Sequence, residues 1–182
     1  MSSISQMPPV SRTGMAGWLS LTTLAILAIV GVSVFSVRQD IFAAAGNTHL
    51  HGPDLSLFGN LPVAIKIHIL AAVGAVGLGA ALMAIRKGKL FHRTAGWLWV
   101  GLVSLVAGSS LFITGLNHGQ FSLLHLFTGW TLIGLPVAVV AAKRHSLVRH
   151  RRAMMGLFYG GFLINGFIAF IPGRTMWNLF FG

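Results

Sequence analysis

Four histidines stand in this sequence at spacings that suit an iron-bound prosthetic group. When His68-Ile69-Leu70 is laid over His125-Leu126-Phe127, Arg86-Lys87 and Lys143-Arg144 both follow eighteen residues later, and then come His92-Arg93 and His150-Arg151. Neutral imidazole is a strong iron ligand, and two imidazoles in trans make a low-spin redox centre. His68 and His125 fall at one end of long apolar segments, and His92 and His150 at the other. The spacing predicts two layers of paired histidine, roughly 20–27 Å apart at the helical rise, which is what one or two b-type hemes require. Residues three and four positions after each histidine share its helical face. They are Ala71, Ala72, Ala95, Gly96, Thr128, Gly129, Ala153 and Met154, all small except the flexible Met. Arg93 and Arg151 are placed to neutralise heme propionates. The plainer alternative is that the small residues serve helix packing and the imidazoles only hydrogen-bond carbonyls or headgroups.

The elements that must position these residues are hydrophobic spans. The 182 residues are 55% hydrophobic and 8% charged, against about 25% charged in an ordinary soluble domain. Apolar runs at 18–37, 61–85, 92–116, 122–142 and 153–172 are each long enough to cross about 30 Å of hydrocarbon. The predicted fold is an all-α integral membrane bundle of five transmembrane helices, its last four forming a duplicated helical hairpin. Residues 1–17 form a cytoplasmic tail, 38–60 an outer loop, and 173–182 an outer tail. Arg12, Arg86, Lys87, Lys89, Arg93, Lys143, Arg144, Arg149, Arg151 and Arg152 fall on one side, against Arg38, Lys66 and Arg174 on the other. The positive-inside rule then sets the N-terminus inside and the C-terminus outside. Trp18, Trp97, Trp99, Trp130 and Trp177 lie near segment ends, where interfacial anchors belong, and Lys66 snorkels outward.

Composition excludes several chemistries. There is no cysteine, hence no disulfide, thiolate metal site or Cys nucleophile. Glutamate is absent, and both acids, Asp40 and Asp54, lie in the outer loop. An intramembrane carboxylate relay is therefore not available. The basic residues cap apolar segments and form no stripe on a polar surface, which argues against nucleic acid as a partner despite the +11 formal charge. His49, His51 and Asp54 form a weaker candidate metal site in the outer loop, although two histidines in a short loop are more often simply solvated. Gly74, Gly77 and Gly79 read as close helix packing, with no strand around them to suggest a nucleotide fingerprint.

Lys66–Arg174 resembles the bacterial membrane-protein family of domain of unknown function 2306. The likeness rests on His68 opening a helix, His92-Arg93-x-x-Gly96, His150-Arg151-x-x-Met154 and Pro172-x-Arg174. That family implies no established activity. The layout is also similar to transmembrane diheme cytochromes b, which implies pairing His68 with His125 and His92 with His150. The expected function is electron transfer within or across a bacterial cytoplasmic membrane, with quinone and a redox protein at the outer face as partners. Whether that makes the chain a membrane oxidoreductase is left open by the residues. The alternative is a non-catalytic accessory or assembly subunit of a larger membrane complex.

Overall fold

The computed structural model describes residues 24, 27–32, 34–35, 38–44, 49–114 and 124–181. The tail 1–17, much of the first apolar segment and the turn at Asn117–Gln120 lie outside the described residues. The chain divides into two compact units, residues 1–36 and 37–182. The described residues of the first unit are helical. The second is helical too, with no strand among the described residues.

Its elements run α1 (Arg38–Ala44), α2 (Leu55–Asn60), α3 (Val63–Ala84), α4 (Leu90–Ser110), α5 (His125–Lys143) and α6 (Leu147–Gly156), then a π-helical stretch (Leu157–Leu163), α7 (Ile164–Ala169) and α8 (Thr175–Phe181). Among the described residues, α3, α4 and α5 are long and apolar enough to cross a membrane. At 22, 21 and 19 residues they extend about 28–33 Å. The fifth apolar segment is helical without a break over residues 147–169. It starts earlier than the sequence suggests, so His150, Arg151 and Arg152 lie within helix rather than in a basic loop. The segments expected as outer loop and outer tail likewise contain helix, in α1, α2 and α8.

α3 and α4 form one antiparallel hairpin, and α5 with α6 and the π stretch forms a second. Both inner turns pass through a left-handed residue, Gly88 at φ 83° and His145 at φ 54°. Each stands twenty residues after the histidine that opens its hairpin, His68 or His125. Glycine meets the requirement of the first turn without a Cβ penalty. In the second, the Ser146 N–H bonds to Ala141 O and the His145 N–H to Ala142 O, the paired closure that ends a helix at a left-handed residue.

The core lies where the hairpins meet. Ala75, Gly79 and Leu82 of α3 and Ala95, Trp99 and Val103 of α4 face Leu135 and Ala138 of α5 and Leu157, Phe158 and Phe162 of the π stretch. Trp99 is only 1% exposed, and its Nε1 donates to Ala75 O at 2.9 Å. This corrects the expectation of an interfacial anchor: its position on the inward stripe of α4 overrides its nearness to the segment end. Trp97, two residues earlier, does face outward, with the Lys143 ammonium 5.7 Å from its ring. At the opposite end, His51 N–H donates to Phe180 O and Asp54 N–H to Leu179 O. The chain entering α3 is thereby fastened to the chain leaving α7, so the ends of this bundle emerge together.

Gly79 tests the packing. A Cβ there would lie 2.6 Å from a Phe158 ring carbon and 2.7 Å from Trp99 Nε1, whereas one at Gly77 meets nothing within 4 Å. Gly79→Ala is expected to lower stability in detergent by about 1–3 kcal/mol. Gly77→Ala should be neutral or raise it by up to about 1 kcal/mol. Thermal melts of the two variants against wild type check the contrast.

Candidate functional site

The outer layer begins with His68, on the stripe of α3 that continues through Ala71, Ala75 and Gly79. Its Nδ1 lies 3.1 Å from Val106 O and 3.2 Å from Ser109 Oγ, both on α4. Ser109 Oγ in turn donates to Leu105 O, leaving its lone pairs to accept from the imidazole. The neighbouring Ser110 Oγ is 2.8 Å from Thr128 Oγ1 on α5. Thr128 lies one turn after His125, whose Nε2 is shielded from solvent. Polar atoms of α3, α4 and α5 are thus collected at one level of the bundle. Sequence reasoning missed Ser109 and Ser110; adjacent serines at the end of an apolar helix were the available signal.

The inner layer draws on α4, α5 and α6. His150 Nδ1 donates to Ala138 O on α5 at 2.9 Å. His92 stands on the same stripe as Ala95 and Trp99, within electrostatic reach of His150 and Lys87. Its Nδ1 is buried with no hydrogen-bond partner. Both histidines sit inside helices, which fixes their direction more firmly than a loop would. Ala138 follows His125 by thirteen residues, so the levels are about 20 Å apart along α5. Trp99, Phe158 and Phe162 lie between them, with the Trp99 and Phe162 ring centres 6.1 Å apart.

These contacts decide which nitrogen is available. A carbonyl oxygen only accepts, so Nδ1 of His68 and of His150 must carry the proton. In the neutral ring, Nε2 then holds the lone pair. Metal-ligating histidines are usually oriented in this way, with the second nitrogen donating to a backbone carbonyl. The donor chemistry of His68 and His150 therefore fits iron. The small neighbours divide between two uses. Ala71 and Ala95 are buried by helix contact, and Ala153 and Met154 pack on the core. Around Gly96 and Gly129 nothing lies within 4 Å of an added Cβ. Arg93 and Arg151 are exposed beside the inner histidines.

Arg174 emerges from the structure as a further polar group at the outer end. Its Nε is buried and without a hydrogen-bond partner, and burial draws its pKa below the ordinary arginine value. Lys66 Nζ donates to Gly59 O in the last turn of α2, in keeping with an outward reach.

The loop candidate is arranged differently. No group of three metal-ligating side chains is assembled among the described residues. His51 Nδ1 bonds to Gly52 O at 2.6 Å. Asp54 caps α2, taking bonds from the Ser56 hydroxyl and from the Ser56 and Leu57 N–H groups at 2.6–2.9 Å. No protein-family model, curated protein or solved structure matches the chain.

The Ser56 hydroxyl, followed by the Leu57 N–H, holds the Asp54 carboxyl below its ordinary value of 3.8. A depressed folded pKa stabilises the cap fully above the ordinary carboxylate value, and the contribution is lost as pH falls through the folded pKa. Helical chemical shifts of residues 55–60 should therefore persist at pH 4 and fade at lower pH. Asp54→Ala should weaken them at every pH, and shifts unmoved by acid or by that substitution would refute the cap's role.

Proposed function

We propose that this chain is a cytoplasmic-membrane electron carrier that binds b-type heme between histidines of non-adjacent helices. Membrane residence is supported by the lengths of α3, α4 and α5 and by what they turn outward. Leu70, Val73, Leu98, Ile133 and Phe167 are each 60% exposed or more, a surface that water tolerates poorly and hydrocarbon well. With the first apolar segment and the helical run 147–169 counted as spans, the chain crosses five times. The ten basic residues gathered on one side then set the N-terminus inside and the C-terminus outside. In the bacterial frame that the resemblance supplies, this is the inner membrane. We also propose kinship with the family of domain of unknown function 2306, on the two His-Arg motifs.

The observation that carries the heme reading is the pair of Nδ1 bonds, His68 to Val106 O and His150 to Ala138 O. They aim an unprotonated nitrogen from one histidine of each layer. His68 with His125 would hold an outer group, and His92 with His150 an inner one. Bound heme would supply a one-electron couple, with a quinone in the lipid phase and a redox protein at the outer face as exchange partners. Arg93 and Arg151, exposed beside the inner histidines, would offer positive charge to heme propionates. Trp99, Phe158 and Phe162 keep water from the space between the layers. A second reading, an accessory subunit of a larger membrane complex, is favoured by the same outward apolar side chains, which suit a neighbouring subunit as well as lipid.

Protein purified from heme-replete cells should show a Soret band and reduced-minus-oxidised visible bands. His68→Ala or His125→Ala should remove the outer share of the signal, and His92→Ala or His150→Ala the inner share. Colourless wild-type protein rules the heme reading out. Stoichiometric partners retained through purification, with function intact after replacement of all four histidines, would establish the accessory reading.

A further inference from the structure

The inner turn between α5 and α6 borders a groove that the heme reading leaves unused. Its volume is about 300 Å³. One wall is the inner half of α5, where Pro136, Val137 and Val140 line it, and Arg144, Ser146 and Arg149 surround its mouth. Val137, Val140 and Arg144 follow one another along a single helical face. The groove is therefore an apolar track that ends in a guanidinium. Val137 and Val140 remain 48% and 45% exposed, so no part of the described bundle covers the track.

The charge at the mouth has no acidic partner among the described residues. The only acids of the chain are Asp40 and Asp54, and Asp54 is committed to the cap of α2 at the opposite end of the bundle. Neither Arg144 nor Arg149 makes an ion pair with a described residue. The adjacent Lys143 is directed to the Trp97 ring and leaves the mouth to the two arginines. Ser146 precedes α6 in the usual capping position, yet its side chain makes no cap bond, so its hydroxyl is available to the groove. The left-handed residue His145 closes the turn tightly enough to bring Arg144 and Arg149 to the same opening.

Two guanidinium groups and a hydroxyl suit a phosphate oxyanion. The apolar track above them suits hydrocarbon. We propose that this groove binds an anionic phospholipid of the inner leaflet, its phosphate between Arg144 and Arg149 and an acyl chain against Val137 and Val140. The assignment rests on membrane residence and is independent of heme. Free phosphate shares the headgroup chemistry but gains nothing from the track.

The test uses the full chain in mild detergent, with native mass spectrometry reading retention of phosphatidylglycerol against phosphatidylcholine. Wild type should prefer phosphatidylglycerol, and Arg144→Gln with Arg149→Gln should reduce the preference about 30-fold, given the usual contribution of each basic residue beside an anionic headgroup. Val140→Trp, which fills the track and leaves every charge in place, should weaken retention of the lipid without weakening that of inorganic phosphate. Folding of each variant is checked by circular dichroism and gel filtration, and if the double arginine variant misfolds, Val140→Trp decides. No preference in wild type, or one unchanged in the variants, overturns the proposal. Inorganic phosphate displacing the lipid at equal concentration would make the occupant free phosphate and overturn it too. Release of the chain from membranes by alkaline carbonate would instead overturn membrane residence, on which the proposal stands.

Discussion

In a bundle this apolar, a buried polar atom left unpaired is costly, and the carbonyl oxygens of neighbouring helices are the main supply of partners. That constraint fixes the two best-defined histidines. His68 crosses from α3 to Val106 on α4, and His150 crosses from α6 to Ala138 on α5. Each bond joins two helices, sets the ring plane and assigns the proton to Nδ1 in one stroke. With no carboxylate on α3–α7 to compete, these two imidazoles meet backbone and hydroxyl partners through Nδ1.

The middle of the bundle is organised by size. Gly79 lets Phe158 and Trp99 approach α3 closely, and Trp99 uses that approach to reach the Ala75 carbonyl. Across from it the chain winds as a π-helix over Leu157–Leu163. The wider turn aligns residues four and five apart, so Leu157, Phe158 and Phe162 all face inward. The result is an aromatic layer between two levels of histidine.

Much of the fold was legible from the chain because charge is so scarce in it. Three apolar runs, broken only near their ends by Lys66 and Arg93, became α3, α4 and α5, and the doubled His-Arg spacing anticipated two hairpins whose inner turns bend at equivalent places. Trp99 was misjudged because nearness to a segment end says nothing about which face a residue takes. The start of α6 at Leu147 was hidden by the run of Arg149, Arg151 and Arg152, whose charges resemble a loop although arginine favours helix. The Ser109–His68 contact and the fastening of α8 to residues 51–54 depend on tertiary approach, which local sequence does not encode. Asp54, read as a metal-ligand candidate, serves as a cap.

The claim on which the rest stands is that His68 and His150 present an unprotonated Nε2 because their Nδ1 protons are committed to carbonyl oxygens of adjacent helices. Solid-state nitrogen NMR on ¹⁵N-histidine-labelled protein, reduced and in lipid, reads this directly. The account predicts that both rings carry a proton on Nδ1 and none on Nε2, the nitrogen that iron would take. A proton on Nε2 of either ring, or a doubly protonated imidazolium, would contradict it.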